Sequence, residues 1–271
     1  MTAAFLILVA LFAALALSFG TRAALAATAP ERLRSTLQDM PLTASFGIAV
    51  IAIYLTVALL APFIAPFPER EVVGSQFQSW DGTHWLGTDR LGRDMASRMI
   101  FGARNTVGIA FATTALAFVV GTLLGLWAAL IGGWIDQVLS RFVDALMAIP
   151  ALIFSLLLLT IFGTSVLTLV LVIAAIDATR VFRLARAVAQ GIVVMDYIEA
   201  ARLRGEGSWR LIRREILPNA LAPLVAEFGL RFCFVFLTIS ALSFLGLGIK
   251  PPTADWGSMV RDNATLITFG D

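Results

Sequence analysis

From Ala145 to Ile176 the sequence runs for 32 residues without an Asp, Glu, Lys or Arg. As one helix this stretch would be about 48 Å long at ~1.5 Å per residue, more than the roughly 30 Å apolar core of a bilayer. Gly163-Thr164-Ser165 reads as a turn in its middle, which divides it into two spans, about 142–162 and 165–183. Met1–Thr21, Met40–Pro68 and Asn105–Ile135 are also charge-free, and a last apolar span, about 219–247, starts after Pro218. Of the 271 residues 59% are hydrophobic and only 14% charged, where a soluble domain needs roughly a quarter charged. Disorder is excluded as well, because disordered chains are poor in apolar residues. The sequence therefore predicts an all-α integral membrane protein, a multi-span bundle of six helices.

Two regions follow from this pattern. Residues 1–42 read as an extra N-terminal apolar helix with a cytoplasmic linker. Residues 43–271 read as the main transmembrane domain, with spans about 43–66, 105–131, 142–162, 165–183 and 219–247. An outer loop, 67–104, and a cytoplasmic loop, 184–218, connect them. Phe5–Phe19 followed by Ala24-Leu25-Ala26 imitates a cleavable leader, but no Lys or Arg precedes it. We read it as an uncleaved helix, with loss of residues 1–27 as the alternative. Gly108, Gly121 and Gly125 are available for close helix contact.

Charge sets the orientation. Eight Arg (180, 183, 186, 202, 204, 210, 213 and 214) crowd the segment between Asp177 and Pro218, and basic loops stay in the cytoplasm. Counting back, 163–165 is outside, 131–141 inside, 67–104 outside and 27–42 inside. The 67–104 loop carries five Arg of its own, a weaker signal of the opposite sense. A net charge of +2 gives no reason to expect nucleic acid. Cys233 is the only cysteine, so no internal disulfide forms, and His84 has no neighbouring ligand for a metal.

The cytoplasmic loop is the most informative segment. Asp196–Arg204 has an acid at its start and bases at its end, as a helix dipole favours. Gly205 can end that helix in a left-handed conformation. Ser208 is placed to cap the next helix, in which Trp209, Ile212 and Ile216 form an apolar stripe opposite Arg210, Arg213 and Arg214. The sequence predicts a short exposed helix, a glycine hinge and an amphipathic helix lying on the membrane, ended by Pro218.

Glu199-Ala200-Ala201, three residues, Gly205 and then Ile216-Leu217-Pro218 resemble the EAA loop of ABC-importer permeases. The resemblance implies that the first short helix is a coupling helix seated in a groove of a cytoplasmic ATPase. Small Ala200 and Ala201 would permit close approach, Glu199 would bond to the groove rim, and Gly205 would let the helix tilt. Leu217 and Pro218 complete the motif.

Two flanking segments extend the resemblance to most of Thr83–Met259. The string Leu86-Gly-Thr-Asp-Arg-Leu-Gly-Arg-Asp94 is similar to a segment of dipeptide, oligopeptide and nickel permeases. So are Ser243-Phe-Leu-Gly-Leu-Gly248, Pro251-Pro252 and Trp256-Gly257. From spacing alone, Asp89/Arg93 and Asp94/Arg98 are i,i+4 pairs on an amphipathic helix, each worth only about 0.2–0.5 kcal/mol. We read both segments as structural. The family continues past the Trp-Gly pair into a final helix. This sequence reaches Asp271 instead and has an extra apolar segment in front, which would leave the C-terminus outside.

Glu227 and Arg231 stand i,i+4 in the last span, and ionisable groups at that depth pair or face a watery cavity. They are candidates for a buried ion pair or for the lining of a pathway. Relatives often have an acid near the position of Ile239, which this chain lacks. Asp144 reads as an anchor at a span end, and Arg180, Arg183 and Arg186 as snorkelling to lipid headgroups.

The chain offers no ATP site of its own. The only lysine, Lys250, precedes Pro251, whereas a phosphate loop needs Gly-Lys-Ser/Thr. Neither a catalytic triad nor a metal or cofactor site can be assembled from these residues. The resemblance implies a non-enzymatic permease subunit of a type I ABC importer in a bacterial inner membrane, forming half of a pathway for dipeptides or oligopeptides. Its partners would be a second homologous permease, two ATPases holding ATP and Mg, an extracytoplasmic substrate-binding protein, and membrane lipid. Import of nickel or another small solute is the alternative, followed by an ion-coupled secondary transporter and a non-transporting scaffold.

Overall fold

The computed structural model describes residues 41–269 together with Gly20, Thr21 and Ala23. The expected span 1–21, most of the linker to residue 42 and the question of a leader over 1–27 lie outside the described residues. The chain forms two compact units, Met1–Ile64 and Ala65–Asp271. In the first, α1 (Leu42–Ile64) follows Pro41 and is 23 residues long, about 35 Å at the usual rise, enough to span.

In the second unit the helices are α2 (Met95–Ile131), α3 (Gly133–Met147), α4 (Ala151–Phe162) and α5 (Val166–Val193). They are followed by α6 (Asp196–Leu203), α7 (Ser208–Leu211), a π-helical turn Ile212–Ile216, α8 (Leu217–Phe244) and α9 (Trp256–Phe269). No strand occurs among the described residues, only one isolated bridge between Thr88 and Asp94. The all-α expectation holds.

The axis of the unit is the pairing of α2 with α5. A Cβ on Gly121 would stand 2.6 Å from the Ala178 carbonyl oxygen, and one on Gly125 would stand 2.7 Å from that of Phe182. Only glycine lets the two backbones approach so closely. Gly108, also expected at a contact, faces open space. Around this crossing α8 closes one core with Leu159, Leu169, Ile173, Val235, Ile239 and Leu242.

Three helix boundaries differ from the sequence reading, and α5 also runs on to Val193, ten residues past the span expected to end at 183. The span expected over 142–162 is broken. α3 and α4 meet at Ala148-Ile149-Pro150 and bend by 89°, because Pro150 has no N–H to continue a helix and clashes with the preceding turn. α4 has only 12 residues, about 18 Å, so it does not cross a bilayer alone. In the other two places a helix starts early or does not stop. α2 begins at Met95, ten residues before the expected span. Pro218 lies inside a continuous helical path from Ser208 to Phe244. Trp256-Gly257 opens α9, 14 residues long, so a helix does follow that pair.

The predicted amphipathic helix over 89–98 is also corrected. Gly87 and Gly92 have φ of 70° and 74°, values foreign to a helix interior, and α2 starts only after Asp94. Asp94 is its N-cap, with Oδ2 accepting from the Ser97 N–H at 2.7 Å.

Candidate functional site

The basic segment over 196–218 folds onto the ends of α2 and α5 instead of hanging free. Ile198 and Ala201 of α6 are fully buried in a core with Leu126, Leu130, Ala185 and Ala189. Leu211, Ile212, Ile216, Ala220 and Leu224 complete that core. Arg202 Nη2 donates to the Leu130 carbonyl at 3.1 Å, satisfying an end group of α2 that has no partner within its own helix.

This burial leaves α6 with one free face. Glu199 and Ala200 are exposed, and Leu203 is 83% exposed. Beside them Val194, Met195 and Trp209 are exposed as well. Of the two alanines, Ala200 alone is exposed. Ala201 serves the chain's own packing, which corrects the expectation that both face outward.

Gly205 has φ of 81° with no atom near an added Cβ. Its N–H bonds to the Arg202 carbonyl at 2.9 Å, and Glu206 N–H to that of Ala201 at 3.2 Å. α6 therefore ends as the sequence predicts, on a left-handed glycine. Ser208 is not the next cap: Gly207 is, and no side chain caps that helix. Ile212 and Ile216 of the apolar stripe, expected to face the membrane, pack instead into the chain's own core. Trp209 alone of that stripe is exposed.

Leu217 and Pro218 explain the π turn. Pro218 has no N–H for the Arg214 carbonyl and crowds it. The Leu217 N–H reaches back five residues to the Ile212 carbonyl, adding one residue to the turn, so the helix passes through the proline. Asn219 Nδ2 donates to the neighbouring Glu215 carbonyl at 2.6 Å and reaches the Tyr197 hydroxyl on α6 at 3.3 Å. α6 and the base of α8 are thus linked by side chain as well as by core.

A second constellation lies deep in the helices. Arg231 Nε donates to Glu227 Oε1 at 2.6 Å, and its Nη1 stands 3.7 Å from Asp177 Oδ1 on α5. Arg180 Nη1 donates to the same Asp177 oxygen at 3.1 Å. The Arg231 guanidinium also lies 5.0 Å from the Phe234 ring centroid. Asp177 and Arg231 sit 11 and 13 residues from the helix ends at Val166 and Phe244, about 17 and 20 Å along their helices. A cavity of about 300 Å³ opens there between α4, α5 and α8. The sequence pointed to Glu227 and Arg231 but missed Asp177 and Arg180, which lie on another helix and were assigned to the basic loop.

Arg180 and Arg186 do not simply snorkel. Arg186 makes a bidentate pair with Asp136 on α3, because a half-buried guanidinium gains more from a matching carboxylate than from distant headgroups.

The flanking motifs join one another at the start of α2 and the end of α8. Asp89 accepts from Arg93 Nε at 2.8 Å, and the buried His84 Nδ1 lies 3.1 Å from Asp94 Oδ1. Arg98 donates to the Pro252 carbonyl at 3.3 Å, and Thr106 Oγ1 to Asp255 Oδ1 at 3.0 Å. Glu69 accepts from Asn105 at 2.9 Å and from the Ala254 N–H. Trp256 Nε1 donates to the Met99 carbonyl at 3.0 Å, with the indole over Gly102. Their partners are each other, the structural role read from the sequence.

The profile of the binding-protein-dependent transport system inner membrane component family matches residues 121–270. The dipeptide transport system permease protein DppC of Alkalihalophilus pseudofirmus is 33% identical over 222 residues, covering 82% of this chain and 73% of that protein. The di/tripeptide permease protein DppC of Pseudomonas aeruginosa is 34% identical, covering 79% and 73%. The glutathione transport system permease protein GsiD of Pectobacterium atrosepticum is 30% identical, covering 78% and 71%.

Proposed function

This chain belongs to the binding-protein-dependent transport system inner membrane component family, as a permease of the dipeptide, oligopeptide and nickel branch, and we propose that it forms half of an import pathway for short peptides. A second homologous permease completes the pathway in the bacterial inner membrane. Two cytoplasmic ATPases bind ATP and Mg and drive it, and an extracytoplasmic binding protein delivers the peptide. This chain contributes no catalytic step. The names of its relatives support the peptide class.

The observation that carries the coupling role is the two-faced α6. Its inner face is locked into the core by Ile198 and Ala201, while Glu199, Ala200 and Leu203 are free to meet the ATPase. A helix held this way acts as a lever. A push on its outer face passes through Arg202 to the end of α2, and through Asn219 to the base of α8. ATP-driven closure of the ATPases then shifts the pathway between two pre-existing states. Gly205 sets the angle at which the lever leaves the core.

The test uses the purified four-component complex in proteoliposomes. Gly205→Val forces a branched side chain into a left-handed backbone at a cost of about 1–2 kcal/mol, roughly 5–30-fold in a conformational equilibrium. Leu203→Glu puts a charge on the docking face. Both should cut ATP-dependent dipeptide uptake by that order while the permease pair still assembles. Uptake and ATPase binding that both survive Gly205→Val would sink the coupling assignment.

A further inference from the structure

Most of the arginines between Asp177 and Pro218 are engaged within the chain. Arg180, Arg183, Arg186, Arg202 and Arg204 each donate to a side chain or a carbonyl. Arg210 on α7 and Arg213 and Arg214 in the π turn are different. All three are exposed, and their side chains make no hydrogen bond or ion pair among the described residues. The half-buried Glu215 beside them pairs with none of them. Like charges spaced i,i+3 and i,i+4 repel one another along a helix, so this turn is left with a charge that the chain does not balance.

The helical register joins these charges to an apolar surface. Ile212, Ile216, Ala220 and Leu224 recur at every fourth residue and are buried. The row one residue on starts at Arg213 and runs through the half-buried Leu217 to the exposed Leu221 and Val225. The row on the far side starts at Arg210 and Arg214 and runs through Pro218 to Ala222, all exposed. No Asp, Glu, Lys or Arg occurs from 216 to 226. The exposed surface is therefore cationic at the base of α8 and apolar beyond it. From Arg213 to Val225 is about 18 Å along the helix, comparable to half of the roughly 30 Å apolar core of a bilayer. Trp209, 62% exposed, flanks the charges, as aromatic residues do at a membrane–water boundary. Polarity that changes along a helix axis fits a molecule with a charged head and an apolar tail. A soluble partner could match the arginines but not the apolar rows that continue into a membrane span.

We infer that Arg210, Arg213 and Arg214 hold the phosphate of an anionic phospholipid whose acyl chains lie on Leu221 and Val225. Guanidiniums pair with phosphate through parallel N–H donors, and the anion relieves the repulsion among the three. The bound headgroup anchors the base of α8 at the membrane boundary, beside the Asn219–Tyr197 contact with α6. It thereby fixes the depth of the segment that carries α6. The inference needs only that α8 spans the membrane, whatever the solute.

The test uses the complete transport complex with Cys233→Ser and Leu221→Cys, the new thiol carrying a neutral bimane. Dioleoyl phosphatidylglycerol and dioleoyl phosphatidylcholine, each brominated on its chains to quench the bimane, are titrated in neutral detergent. Phosphatidylglycerol should half-quench at a mole fraction at least ~10-fold lower, since each basic residue adds attraction to an anionic lipid. The triple variant Arg210→Gln, Arg213→Gln, Arg214→Gln should bring the two lipids together. Arg204→Gln, at an exposed arginine paired with Glu206, should keep them apart. Excess inorganic phosphate should not relieve the quenching. Equal quenching by both lipids, a preference that survives the triple substitution, or displacement by phosphate overturns the inference. So does a preference that appears only once the ATPases are removed, which would make the ATPase the occupant of this face. If the triple variant fails to assemble, the two lipids are compared on the reporter complex with and without ~1 M salt. A preference that salt does not narrow then overturns the inference.

Discussion

At Asp89 several donors converge on one carboxylate. Oδ1 accepts from the Leu91 and Arg93 N–H groups at 2.8 and 3.0 Å, and Oδ2 takes the Arg93 guanidinium at 2.6 and 2.8 Å. Arg98 Nε stands 3.4 Å off without forming a hydrogen bond. Burial by itself pushes the Asp89 carboxyl up, but the Arg93 side chain and the backbone donors outweigh it and hold it below the usual carboxylate range. Because the folded pKa is depressed, the stabilisation is complete above the unfolded value of about 3.9. It is lost as pH falls through the lower folded value. Asp89→Asn should therefore cost about 3–5 kcal/mol near neutrality, as breaking a buried pair does. The gap to the parent in thermal unfolding should close below pH ~3.9; a gap that stays constant into acid would exclude the carboxylate as its source. The i,i+4 spacing identified the Asp89–Arg93 pair correctly but not its backbone. Spacing cannot distinguish a helix from a loop whose Gly92 turns at φ 74°, nor an ion-pairing Asp94 from one that caps α2.

Among the elements, α2 and α5 show how two glycines set a distance. Gly121→Val or Gly125→Val would drive a side chain into the α5 backbone at Ala178–Phe182. Backbone is not the flexible end of a side chain, so α5 must move away from α2. Overpacking of this sort costs about 1–3 kcal/mol or more. α5 also carries Asp177 and leads directly into α6, so the loss should appear both as a lower melting temperature in detergent and as weaker ATPase binding. Gly108→Val, on the same helix but facing open space, is the control and should leave both unchanged. That two of three glycines pack was legible in their presence on an apolar helix. Which two was not, because it depends on the rotation of α2 about its axis. Helix ends were misjudged for a related reason. Freedom from charge records where a chain tolerates lipid, whereas Pro150 breaks a helix and Pro218, relieved by a π turn, does not. The difference lies in the π turn, in which the Leu217 N–H bonds five residues back to the Ile212 carbonyl and the helix resumes around the proline. At Pro218 Asn219 bonds the adjacent Glu215 carbonyl.

On the scale of the whole molecule, the path from Ser208 to Phe244 is the less covered of the two long apolar spans in the Ala65–Asp271 unit. In its most apolar 18 residues only 17% are buried, against 50% for α2. Lipid can cover Leu221, Val225, Leu230 and Leu237, but the same helix holds Glu227 and Arg231, with Arg231 side chain 15% and Glu227 25% exposed. Ionisable groups at that depth require protein or an enclosed aqueous path beside them. In the proposed complex the second permease would supply such cover along α8. Hydropathy could announce a membrane protein from the sequence, yet it scores a helix facing lipid and one facing a partner alike. The unmatched face became visible only once the chain's own packing was known. Cys233, exposed on α8, reports on this face as the chain's single thiol. In detergent, maleimide should label it rapidly in the chain alone and at least ~10-fold more slowly in the assembled permease pair, since a buried thiol reacts only through opening. The parallel variant Leu237→Cys in a Cys233→Ser background tests whether the protection runs along the helix toward its outer end. Equal rates in both states at both positions would mean that α8 faces lipid, and the partner would then have to cover Glu227 and Arg231 from the side of α4 and α5.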